Sequence, residues 1–253
     1  ATSLMENLTT AGIICKKLRD EEEALYESAA VAYAAAKLGI DGIKGVIGSG
    51  GGSVQIVREF KDVIAMEVGF RAGMRRLIGT SKKGGDPLAE LEAWTEDSVQ
   101  AQLIVHGDGV TKMSGQVMAI SACYYAASIA GVDVASKDDE ATMFKASSVV
   151  GKMKAKLDEL KQQVRDDPGC LKAREGDDDK KKKDRGNHAM DLCNLTLQTM
   201  LYETFFDGEC EICFKRNWEL PGGVKFRTTW SAGWFLHSLK KQGICWPQSN
   251  KAL

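Results

Sequence analysis

Steps of alternating four and three residues from Leu4 land on Leu8, Ala11, Cys15, Leu18, Glu22, Leu25, Ala29, Ala32, Ala36, Gly39 and Ile43, a mostly apolar series. That heptad-like seam, broken at Glu22 and softened at Gly39, predicts one long helix from about Leu4 to Ile43. The Ala-rich stretch Ser28 to Ala36 suits close approach of a second helix. A second stripe, Ile56, Phe60, Val63, Met66, Phe70, Met74 and Leu77, predicts a helix from about Val54 to Ile78. The third helical region, Leu88 to about Gly131, carries Val110, Met113, Val117, Ile120, Tyr124 and Ala127 at heptad steps, with an interruption at Gly107-Asp108-Gly109. A fourth, Glu140 to Val164, shows Ala146, Val149, Met153, Leu157, Leu160 and Val164. Further helices are expected over Asn187 to Phe206 and near Thr229 to Lys241.

Breaks between these stripes set the organisation. Gly48-Ser49-Gly50-Gly51-Gly52-Ser53 cannot hold a helix and reads as a flexible connector, either a natural loose turn or an engineered replacement for a longer loop. Thr80 to Asp86 forms a polar turn, and Pro87 fits the first turn of the next helix. Val132 to Asp138 is a second connector. Arg174 to Gly186 holds Asp177-Asp178-Asp179 followed by Lys180 to Lys183 and no apolar residue, the texture of a solvated loop. The expected fold is all-α: an elongated bundle of three to four long helices with a disulfide-stapled, Trp-rich, irregular C-terminal segment. Residues 1–253 then form a single ectodomain, with a helical body at about 1–165, a charged loop at about 172–187, and a C-terminal helix and cap at about 188–253.

Composition refines this. Four prolines and few aromatics among 253 residues favour helices, and a chain this long can bury a core without staples. A net charge of −1 gives no electrostatic reason to expect nucleic acid as partner. No apolar run approaches the ~20 residues that span a bilayer. The chain begins Ala1-Thr2-Ser3, so a membrane connection is expected only through an anchor absent from this sequence.

Seven cysteines change the picture most: Cys15, Cys123, Cys170, Cys193, Cys210, Cys213 and Cys245. With two Asn-X-Thr sequons, at Asn7 and Asn194, they point to an oxidising compartment and glycosylation. Five of the seven lie from Cys170 onward, where bridges would fasten the cap to the helices; the connectivity stays open. The cap also holds Trp218, Trp230 and Trp234, candidate binding residues if exposed, against the commoner case of tryptophans buried on disulfides.

Catalytic motifs are absent from this reading. Cys210-Glu211-Ile212-Cys213 is a CxxC without the strand-helix context of a redox motif and without further zinc ligands at suitable spacing. His106, His188 and His237 are scattered. The Gly-rich stretch lacks the Lys-Ser/Thr of a nucleotide-binding loop. The acidic cluster Glu21-Glu22-Glu23 suits a helix start electrostatically. No catalytic residue, metal or cofactor is expected.

The Ala-rich first helix with its early Cys15, the helical return, the charged low-complexity loop and the Cys-rich ending together resemble the invariant surface glycoproteins of African trypanosomes. That resemblance implies a cell-surface glycoprotein, not an enzyme, which binds a host serum or surface protein such as a complement component or immunoglobulin as receptor or immune-evasion factor. The alternative is an intracellular helical adaptor with reduced cysteines, and a third reading is an enzyme centred on the CxxC.

Overall fold

Between Ile43 and Met66, where a connector and a helical stripe are expected, the chain instead forms three strands. The computed structural model describes residues 18–106, 111–134, 142–171, 179–215 and 217–241, with the backbone alone for 105, 106, 179–186 and 230. The elements run α1 (Asp20–Leu38), β1 (Ile43–Ser49), β2 (Val54–Arg58), β3 (Asp62–Met66), α2 (Phe70–Lys82), α3 (Pro87–His106), β4 (Gln116–Ser121), α4 (Ala122–Ile129), β5 (Met143–Lys145) and α5 (Ala146–Asp166). A 3-10 turn, Pro168–Leu171, leads to α6 (Asp179–Phe205), β6 (Glu211–Phe214), β7 (Trp218–Leu220), β8 (Val224–Phe226) and α7 (Trp230–Lys241). The all-α bundle is therefore replaced by a mixed α/β fold.

One six-stranded sheet orders its strands β3-β2-β1-β4-β6-β5. The first three form an antiparallel meander; β4 pairs parallel to β1, and β6 parallel to β4. The central strands are buried on both faces, which explains their near-continuous apolar runs. Ile47, Val117, Ala119 and Ile212 face a large core built with α2 to α6. Val46, Met118, Ile120 and Cys213 face the other way, toward Val31 and Ala34 of α1 and Trp218 and Leu220 of β7. Helix α7 packs along α1 on that same side.

The helix stripes misread strands for identifiable reasons. The β2–β3 turn contains Glu59 (φ 48°) and Phe60 (φ 57°), left-handed positions that normally favour Gly or Asn, so nothing in the sequence punctuates it. Strand β4 runs straight into α4 through Ser121, again without Gly or Pro. Elsewhere the stripes hold: Ala146, Val149, Met153, Leu157, Leu160 and Val164 are the buried face of α5. Asp86 caps α3, its Oδ1 accepting from the Leu88 and Ala89 amides, with Pro87 at the first position. The Lys180 to Lys183 run belongs to the backbone of α6 rather than to a loop.

Candidate functional site

Strands β1 and β4 are parallel neighbours whose chains leave in opposite directions, β1 turning back into β2 and β4 continuing into α4. At such a switch point the carboxyl ends of the strands open a crevice. Here Ser49 and Ser121, register partners at those ends, border a cleft of about 620 Å³. Gly50, Ala122, Phe70, Tyr125, Ile129 and the 227–229 segment line it, with Asn187, Met190, Asp191 and Asn194 along one face of α6.

The Gly-rich stretch is an ordered hairpin turn on this cleft, correcting its reading as a flexible connector. The Gly50 amide donates to Ser53 O at 2.8 Å, closing the turn. Against it lies the first turn of α2, where the Arg71 amide donates to Gly51 O at 3.2 Å. Glycine is required on both sides: a β-carbon on Gly69 would collide with the Gly51–Gly52 backbone, and one on Gly51 would stand 2.6 Å from Arg71 Cδ. The result is backbone without side chains packed on the positive end of the α2 dipole, with Gly51 O already meeting the Arg71 amide.

Beneath the turn runs a buried polar chain. Gln198 Nε2 donates to Ser49 Oγ at 2.7 Å, and Gln198 Oε1 lies 3.3 Å from the Cys123 thiol. Asn194, 4% exposed, donates from Nδ2 to Ala122 O at 3.1 Å, while its Oδ1 has no partner. Leaving a buried acceptor unpaired costs roughly 1–3 kcal/mol. Ser121 holds φ 59° and ψ −123°, a costly conformation for a residue with a β-carbon. Burial raises the carboxyl pKa of half-buried Asp191, against the opposing pull of Lys156.

Two carboxylates approach from the other face of the sheet. Four residues join α1 to β1, so helix and strand run antiparallel and the first turns of α1 lie at the carboxyl end of the strand. Glu27 sits over Gly48, its Oε2 2.6 Å from where a β-carbon on residue 48 would stand. Burial first, and then the Glu23 carboxylate one turn away, raise the Glu27 pKa to about 8. Burial and Asp20 raise Glu23. The acidic start of α1, expected to serve only the helix dipole, thus places Glu27, with its raised pKa, beside Gly48 of β1; neither Glu23 nor Glu27 lines the cleft.

The residues singled out from sequence lie mostly elsewhere. Cys123, Cys193, Cys210 and Cys213 are free buried thiols rather than disulfide partners, and Cys170 is half-buried on the 3-10 turn. Cys210 faces the α2–α6 core and Cys213 the α1 side, so the CxxC cysteines are separated by the sheet. Cys15 and Cys245 lie outside the described residues, as does Asn7. Asn194 is on the cleft wall inside α6, too enclosed to serve as a glycosylation acceptor in the folded chain. Trp218 is buried in β7, Trp234 is 50% exposed on α7, and the side chain of Trp230 is outside the description. None of the three tryptophans lines the cleft as described. Among the described residues no group of three His, Cys, Asp or Glu could hold a metal ion, and no helix is long and apolar enough to cross a membrane. The signal that could have found the site is Gly50-Gly51-Gly52-Ser53 read as a turn between two β-branched runs.

No family model matches the chain, and no curated protein matches it in sequence. Its fold does match solved structures. One is the Aquifex aeolicus member of the Ppx/GppA protein family, 15% identical, with a TM-score of 0.54 over 95% of this chain and 70% of that one. Another is an exopolyphosphatase-like protein, 10% identical, with a TM-score of 0.55 over 94% of this chain and 70% of that one. At such identities the likeness is one of fold. It overturns the resemblance to trypanosome surface glycoproteins, which rested on a helical bundle that is not there. The surface-receptor reading and the helical-adaptor alternative fall with that premise.

Proposed function

We propose that this domain is phosphohydrolase-like: it binds a phosphate group of its ligand at the Gly50–Gly52 turn and cleaves a phosphoanhydride or phosphate ester bond with water. The observation that carries the reading is the turn itself, side-chain-free backbone at the carboxyl end of β1, held against the N-terminus of α2, with Ser49 and Gly50 lining the cleft. The Ser49 hydroxyl, the Arg227 guanidinium on the cleft and the Arg71 guanidinium beside Gly51 supply what a phosphate needs: donors and positive charge. One carboxylate of the Glu23–Glu27 pair takes a proton from the attacking water as the water oxygen bonds to phosphorus; the bridging oxygen departs with the bonding electron pair, as phosphate from an anhydride or as the alcohol's oxygen from an ester, and is protonated by water. A carboxylate with a pKa raised toward neutrality suits that role. The fold match to an exopolyphosphatase-like protein supports the same class of reaction.

The test is phosphate release from pyrophosphate, tripolyphosphate and a nucleoside triphosphate, assayed with and without Mg²⁺, alongside calorimetric binding of the same compounds. The expected result is binding and turnover of at least one compound, with turnover lost in Glu23→Gln or Glu27→Gln. Absence of both binding and release across the panel would sink the proposal.

A further inference from the structure

The α6 wall of the cleft differs in chemistry from the turn. Asn194 is almost fully enclosed, and its orientation is set by Ala122 O, which can be met only by the amide nitrogen. Its Oδ1 is therefore a fixed acceptor with nothing donating to it, on a residue that lines the cleft. Asp191, also on this wall, adds a second acceptor. The same cleft is lined by Phe70, Tyr125 and Ile129, apolar surface that a fully charged chain gains nothing from contacting. Among the described lining residues Arg227 is the single cation, too little to neutralise a run of phosphates.

We propose that Asn194 Oδ1 accepts a hydrogen bond from a hydroxyl group of the ligand, so that the cleft selects organic phosphates bearing such a hydroxyl over inorganic polyphosphate. This rests on the phosphate reading of the Gly50–Gly52 turn. The phosphate is held at the turn, the carbon skeleton lies along the apolar side, and its donor meets the α6 wall.

A matched pair of probes isolates the donor: adenosine 5′-monophosphate and its 2′,3′-dideoxy analogue, titrated calorimetrically into the full chain, with pyrophosphate as a third probe. The hydroxylated compound is expected to bind at least about fivefold more tightly than the dideoxy one, the worth of one neutral hydrogen bond. Asn194→Ala should bring the two to equal affinity. Equal affinities for the pair in the unmodified chain, with pyrophosphate still bound, would overturn the donor site and leave the phosphate reading standing. Failure of all three probes to bind would overturn both. Because the matched pair is compared in the unmodified chain, a variant that does not fold leaves the answer intact.

Discussion

Glu27 and Gly48 share one space: the Glu27 carboxylate on α1 occupies the volume that any side chain on residue 48 of β1 would need. Gly48→Ala therefore evicts the carboxylate from the end of the strand. The expected cost is about 1–3 kcal/mol of stability, as for other overpacked sites, together with loss of phosphate release. Denaturant unfolding and a turnover assay on the same variant check both.

Glu27 also predicts how stability depends on pH. Its pKa is raised in the folded chain to about 8, so the folded state holds a proton that the unfolded chain, titrating near 4.5, releases. Stability conferred by that proton is complete below about 4.5 and is lost as pH rises toward 8. The slope is at most roughly 1.4 kcal/mol per pH unit. Glu23, shifted in the same direction and coupled to it, adds to the trend. Glu27→Gln should match the unmodified chain at pH 5 and melt at higher temperature than it at pH 8. A gap that is the same at both pH values would contradict the assignment.

Gly69 offers a test of the turn that leaves every polar group in place. A methyl group there meets the Gly51 and Gly52 backbone, so Gly69→Ala should displace the turn from α2. Phosphate affinity is expected to fall at least about tenfold, as one misplaced contact of about 1.4 kcal/mol would require. Ala at Gly79, where a β-carbon meets nothing, serves as the matched control and should leave affinity unchanged.

The four thiols of Cys123, Cys193, Cys210 and Cys213 should be inert in the folded chain. Burial pushes Cys123 up to about 12, and Cys210 and Cys213 to about 11, and it raises Cys193 further still. The thiolate is the reactive species, so these groups react slowly at neutral pH. A thiol reagent should label them only after denaturation, without prior reduction. Rapid labelling of Cys123 in the native chain would show that the core around α4 opens.

Parts of this architecture were legible in the sequence and others were not, for local reasons. The α5 stripe, the Pro87 helix start and the helix near Thr229 to Lys241 read correctly, because nothing else satisfies their periodicity or caps. Strands β2 and β3 did not, because Ile56, Val63 and Met66 fit a helical step as well as a strand, and the turn at Glu59–Phe60 lacks the residues that announce one. Cys123 and Cys193 suggested bridges because a cysteine count cannot distinguish a thiol filling a core from one awaiting a partner. The site was hidden for a different reason. Ser49, Ser121 and Asn194 share one cleft only because β1 pairs with β4 and α6 packs against α4, long-range contacts that leave no local pattern.

Helix α6 carries the cleft wall and the core on one rigid rod: Asn187, Asp191 and Asn194 serve the first, Leu192, Leu195, Leu201 and Phe205 the second. That wall cannot swing outward without tearing the interior apart. Residues 227–229, which also line the cleft, form a short connector between β8 and α7. The cleft is therefore framed by two unlike supports: a helix committed to the interior on one side, and on the other a three-residue connector held by local contacts such as Arg227 Nε donating to Asn217 Oδ1 and the Ala232 amide donating to the Thr229 hydroxyl.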